Sequence, residues 1–184
     1  ISKELGKDEK FCDDIAVAGV LHDIGKLRVN RYVYSDESDD TLVVEQMKYV
    51  RMHSAYSRDI LRDENYPENI IEAVYHHHEN YDGSGYPDGL KGTDIPEMSR
   101  ILRTCDVFSA LITNRSYRKA FDKKTAMAIM IDEVEDYDME VFLAFQRVFH
   151  DDKFPEIRNL QDMASEIQME NLKVFEEEAL KGNY

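Results

Sequence analysis

Of the six histidines in this chain, five lie between residues 22 and 78, three of them in succession as His76, His77 and His78. Asp23 directly follows His22, and His53 and Asp106 complete a set of imidazoles and carboxylates scattered along the sequence. Such nitrogen and oxygen donors suit iron, manganese or zinc. No thiolate joins them, because Cys12 and Cys105 form no zinc spacing and are too few for a disulfide scaffold. Hydropathy indicates where these side chains face. His22 and Asp23 close an apolar stretch directly after Leu21, and His53 follows Met47 and Val50 at three-residue steps. His77 and His78 follow Val74 by three and four positions, and Asp106 follows Leu102 by four, so four separate helices each aim a ligand-type group inward. A single inward histidine is ordinarily a hydrogen-bonded core residue, and a single inward aspartate a cap or half an ion pair. Two buried carboxylates among four imidazoles need a cation, since an uncompensated buried charge costs several kcal/mol. One or more divalent metals supply it, and a metal pair can hold a hydroxide that is nucleophilic near neutral pH and clamp a phosphoryl group.

The elements that must carry these residues read as helices joined by loops. Helices are predicted over Asp13–Lys26 as a mostly apolar buried segment and over Leu42–Asp63, where Tyr56, Ile60 and Leu61 continue the stripe. Pro67 opens a third, with Ile70, Ile71 and Val74 inward, and Pro96 a fourth carrying Ile101, Leu102, Cys105, Phe108, Leu111 and Ile112. Thr125–Val134 and Met139–Phe149 follow, then an amphipathic stretch after Pro155 with Leu160, Met163, Ile167, Leu172 and Phe175. The one strand-like run, Tyr32-Val33-Tyr34, is too short to weigh. The expectation is an all-α domain over residues 1–150, with 151–184 a C-terminal amphipathic helix or acidic tail that packs on it or pairs with a second copy.

The 184 residues are 42% hydrophobic, enough for a core, and carry a formal charge of −15. That balance argues against a binder of DNA or RNA polymers. The acid is concentrated at residues 131–184, which hold 15 acidic and 5 basic side chains. Against this trend Asn114–Lys124 gathers Arg115, Arg118, Lys119, Lys123 and Lys124 around a single Asp122, which points to a local anion site. Half of the eight glycines fall at positions 83, 85, 89 and 92, just past the histidines. No apolar run is long enough to span a membrane and no signal-peptide core opens the chain, so a cytoplasmic protein is expected. The first residue is Ile rather than Met, which is read as processing or truncation.

Two motifs resemble a known family. His22-Asp23-Ile24-Gly25-Lys26 resembles the HD signature of metal-dependent phosphohydrolases, and the segment His77-His78-Glu79 through Gly85-Tyr86-Pro87 to Leu90 resembles the HHE…GYP segment of the HD-GYP subfamily. The likeness runs from about Leu5 to Phe149. It implies an all-α HD-domain bundle with a metal centre in its core and a GYP loop at its mouth. It implies two or three divalent metals, iron or manganese with zinc or nickel as alternatives, held by His22, Asp23, His53, His77, His78 and Asp106, with Asp23 as the bridge. Lys26 then contacts the scissile phosphate and acts with Asp23 in catalysis, Arg115 and Arg118 hold substrate phosphates, and Tyr86 lines the pocket. The implied reaction opens cyclic diguanylate to the linear dinucleotide pGpG, and further to GMP, in bacterial signalling. The alternatives are a binding or scaffolding domain that hydrolyses poorly, and an HD phosphohydrolase acting on another nucleotide. A homodimer and a sensory or receiver domain ahead of residue 1 are the partners such domains have.

His76 has no ligand counterpart in the family and is expected beside the site or on the surface, and His150 on the surface. Two departures stand out. The family usually has one more ligand, a histidine or glutamate, upstream of the HD motif; none of the 21 residues before His22 is His, and Glu4 and Glu9 lie too near. Ser109 stands where the family commonly has an aspartate, which bears on substrate orientation.

Overall fold

Asp8 opens the first helix by accepting the N–H of Phe11 at 2.8 Å, and α1 runs Glu9–Leu21. The structure, a computed structural model, describes residues 1–33, 50–114 and 118–151. Helix α1 is shorter and wetter than its apolar composition predicts. Ala18 is fully buried and Phe11, Ile15 and Leu21 pack against the core, but Val17 is 38% and Val20 83% exposed. The helix also stops at Leu21 rather than Lys26, because the next residues are taken up by another helix. Ser57 donates its hydroxyl to His22 O at 2.9 Å and accepts the N–H of Gly25 at 2.8 Å, so residues 22–25 turn and α2, Lys26–Val33, begins afresh. A Cβ at residue 25 would lie 2.1 Å from His53 O, so only glycine permits this approach.

Two later helices start where their prolines predict, whereas the expected Leu42–Asp63 helix is interrupted at Met52, with no side chain capping the helix that follows, and the one expected from Thr125 starts at Lys123. Helix α3 spans His53–Asp63, α4 spans Glu68–Tyr75 behind Pro67, and α5 spans Glu97–Ile112 behind Pro96. Asp122 caps α6, Lys123–Asp132, through the N–H groups of Lys124 and Thr125, and α7 covers Met139–Phe149. Two short 3₁₀ turns, Gly92–Asp94 and Val134–Asp136, complete the regular structure of the described residues, among which no strand occurs. The domain is all-α, as its periodicity predicts. The expected helix residues 42–49, Arg115 and the stretch after Pro155 lie outside the described residues. None of the described helices is long and apolar enough to cross a membrane.

The chain divides into two compact units, Ile1–Phe145 and Gln146–Tyr184. In the first, α4 is the hub: it packs on α1, α3 and α5, while α2 lies on α3 and α6 on α5. Ile70, Ile71, Ala73 and Val74 are all buried, joined by Ala18, Leu61, Met98 and Leu102. Ser99 ties α5 to α4 by donating to the carbonyl of Ala73 at 3.2 Å. Of the second unit, the described residues are the end of α7 and the exposed His150 and Asp151, and the His150 ring meets Phe149 edge-on at 5.0 Å.

Candidate metal centre

Because α4 is the buried hub, the residues that leave its C-terminus emerge inside the molecule. His77 is 0% exposed, and His53, at the start of α3, is 1% exposed. A backbone carbonyl three residues earlier orients each of three rings. His22 Nδ1 donates to Gly19 O at 2.7 Å, His53 Nδ1 to Val50 O at 2.5 Å, and His77 Nδ1 to Val74 O at 2.6 Å. A carbonyl only accepts, so the proton sits on Nδ1 and the neutral ring presents a bare Nε2. Burial pushes His77 down to about 3 and His78 down to about 2, helped by the neighbouring imidazoles, and it lowers His53 as well. These rings are therefore neutral at pH 7. His53 Nε2 nevertheless lies 3.3 Å from His77 Nε2 and 3.1 Å from His78 Nε2. Between His53 and His77 an acceptor faces an acceptor, an arrangement that a shared cation resolves.

The carboxylates close on the same point. Asp23 Oδ2 lies 3.3 Å from His22 Nε2 and 2.5 Å from Lys26 Nζ. Its Oδ1 lies 3.3 Å from His53 Nε2, buried and without a hydrogen-bond partner. Asp106 Oδ1, on α5, is 3.7 Å from His22 Nε2, a charge contact rather than a hydrogen bond. Burial works against both acids, yet His22 and Lys26 hold Asp23 far below the usual carboxylate range, and His22 holds Asp106 down to about 2. Burial likewise opposes a charge on His22, but Asp106 and Asp23 outweigh it and raise the ring to about 10. A protonated His22 thus sets positive charge beside the two carboxylates.

Among the described residues, two groups have ligand atoms all within 4.8 Å of one another: His53, His77 and His78, and His22, Asp23 and His77. His77 belongs to both, and Asp23 turns one oxygen toward His22 and the other toward His53. Facing bare nitrogens, an orphaned carboxylate oxygen and an all-nitrogen-and-oxygen donor set fit a divalent metal.

A loop covers one side. Tyr86 stacks on His78 with ring centres 4.8 Å apart and planes at 24°, and burial pushes its phenol up to about 12. The guanidinium of Arg51 lies 5.2 Å from the Tyr86 ring centre. Nothing in the sequence pattern singles out Arg51, and the same holds for Ser57, which joins the HD turn to α3. Glu79 is buried within the second motif and binds the backbone of the loop, a role its residue type alone does not disclose. His76 is not on the surface: it is 5% exposed, with Nε2 3.3 Å from Glu72 and Nδ1 3.5 Å from Glu79. Ser109 and Cys105 are both exposed. Arg118 binds the end of α5, donating to Leu111 O at 3.1 Å and Ala110 O at 2.8 Å, and also donates to the adjacent Lys119 O at 2.8 Å.

A family profile described as an HD domain matches residues 1–141. A 3′3′-cGAMP-specific phosphodiesterase of Vibrio cholerae is 35% identical over 134 residues, 72% of this chain and 29% of that protein. The cyclic di-GMP phosphodiesterase response regulator RpfG of Xanthomonas campestris is 33% identical over 132 residues, covering 71% and 34%. A cyclic di-GMP phosphodiesterase of Thermotoga maritima is 34% identical over 120 residues, covering 64% and 32%. The chain spans about a third of the length of these relatives. A crystal structure of a cyclic GMP-AMP-specific phosphodiesterase of Vibrio cholerae superposes with a TM-score of 0.62 over 83% of this chain and 42% of that one. At 17% identity this is a likeness of fold.

Proposed function

Because the chain belongs to the HD-domain family, we propose that it is a metal-dependent cyclic-dinucleotide phosphodiesterase of the HD-GYP kind, opening cyclic di-GMP to linear pGpG and then to GMP. The observation that carries the reading is the pair of bare Nε2 atoms of His53 and His77 facing each other 3.3 Å apart beside the unpartnered Asp23 Oδ1.

His53, His77 and His78 form one possible ligand group and His22, Asp23 and His77 another. The single bare Nε2 of His77 would serve one ion only, with His53 and His78 on one side, His22 and Asp23 on the other and Asp106 close by. Iron or manganese suits these donors, in a reading that takes two or three ions. When bound, the metals supply Lewis acidity toward phosphoryl oxygens and acidify water. The protein's own groups do the rest. Asp23 Oδ2 keeps the Lys26 ammonium at the edge of the cluster, where it can neutralise charge developing on the phosphate. Tyr86 offers a ring face at the mouth, with Arg51 adding positive charge beside it. Arg115 and Arg118 remain the proposed phosphate contacts, although three of the five N–H groups of Arg118 already serve carbonyls around the end of α5. Water adds across one P–O3′ bond, leaving a 5′-phosphate on a linear dinucleotide. A cytoplasmic location belongs to the same reading.

A second substrate, 3′3′-cGAMP, is favoured by the relatives named for it. Protein loaded anaerobically with Fe(II) or Mn(II) and incubated with each cyclic dinucleotide separately, with products resolved by chromatography, tests the proposal. Conversion to the linear product is expected, lost together with the metal in Asp23→Ala. Full metal occupancy with neither substrate consumed would contradict it and leave a binding domain.

A further inference from the structure

Glu79 is a buried carboxylate with 1% exposure. Both of its oxygens are occupied by backbone. Oε1 accepts the N–H groups of Asp88 at 2.8 Å and Gly89 at 3.1 Å, and Oε2 accepts that of Leu90 at 3.1 Å. These three amides follow directly on Gly85-Tyr86-Pro87. On the other side of the turn, Tyr86 N donates to His78 O at 3.1 Å. Gly85 presses so closely on the start of the loop that a Cβ there would lie 2.2 Å from Asn80 N and 2.5 Å from Glu79 Cα. The loop is thus fastened on both sides of the ring that stacks on His78.

We infer that Glu79 is a positioning residue, which sets Tyr86 over the histidine cluster through the amides of Asp88, Gly89 and Leu90. A carboxylate suits the task because it offers acceptors only, and each bond it takes from an N–H is charge-assisted. Engagement of both oxygens by the loop also separates Glu79 from the cation ligands, although it adjoins His78 in sequence. The consequence for substrate rests on the phosphodiesterase reading; the consequence for the loop does not.

Glu79→Gln keeps the shape but places an NH₂ group against the loop amides. Hydrogen exchange at Tyr86 and at residues 88–90 should accelerate by about ten-fold or more while α4 and α5 keep their protection. Metal content should be unchanged, with KM for the cyclic dinucleotide raised about ten-fold and kcat within about three-fold of wild type. Tyr86→Ala should raise KM similarly, and the double variant should be no worse than Tyr86→Ala alone, because both changes remove one device. A wild-type KM in Glu79→Gln, or KM effects that multiply in the double variant, would overturn the inference. If the wild type consumes neither substrate, the functional reading fails and exchange alone decides: faster exchange supports positioning, and wild-type exchange refutes it. Should Glu79→Gln not fold, Glu79→Asp, which withdraws the carboxylate by one methylene, is read by the same criteria.

Discussion

His22 and His77 sit within one cluster yet hold opposite charge states, and this predicts how the metal-free protein responds to pH. Burial lowers His77 to about 3 and His78 to about 2, so below the ordinary value of 6.5 the unfolded chain takes up protons that the folded chain refuses. Stability should therefore fall as pH drops from 6.5, with a slope approaching two protons. His22 is raised to about 10, so its contribution is complete below 6.5 and is lost as pH rises from 6.5 to about 10. Melting temperature against pH should peak near 6.5 without metal. With metal in place of the His22 proton, the alkaline decline should disappear; a flat metal-free profile would refute these charge states. Lys26 makes a separate prediction. Lys26→Ala should lower kcat about a hundred-fold with metal retained, since one preorganised donor is worth that order, and steady-state kinetics beside elemental analysis checks it.

At the scale of elements, the turn between α1 and α2 is what brings His22 and Asp23 to His53, and Ser57 bridges it. Ser57→Ala removes one buried and one part-buried hydrogen bond and should cost about 2 kcal/mol in urea unfolding, with weakened metal retention. Gly25→Ala sets a methyl against backbone and should abolish metal retention, a loss that elemental analysis reads. Helix starts at Pro67 and Pro96 were legible because proline acts locally, and inward His77 was legible from its spacing after buried Val74, whereas Val50, from which His53 was spaced, is itself exposed. The end of α1 was not, because the contact that stops it comes from Ser57, 32 residues beyond Gly25. Glu79 was hidden for a related reason: its partners are backbone amides, which carry no residue identity. Arg118 shows the reverse, a basic residue whose motif points to phosphate while its guanidinium binds carbonyls at a helix end.

For the molecule as a whole, the fold class followed from helical periodicity, and membership of the HD-domain family agrees with it over residues 1–141. The net charge of −15 predicts that duplex DNA will not be retained even at low salt, and a shift assay at micromolar protein checks this. The core itself poses the decisive question, because the hub helix α4 delivers His77 to a point shared by both candidate ligand groups. Elemental analysis of anaerobically purified wild type and His77→Ala, each confirmed folded by circular dichroism, addresses it most directly. The account predicts about two metal equivalents or more in the wild type and less than about half an equivalent in the variant. A wild type that folds and binds no divalent metal, or a variant that keeps its full complement, would contradict it.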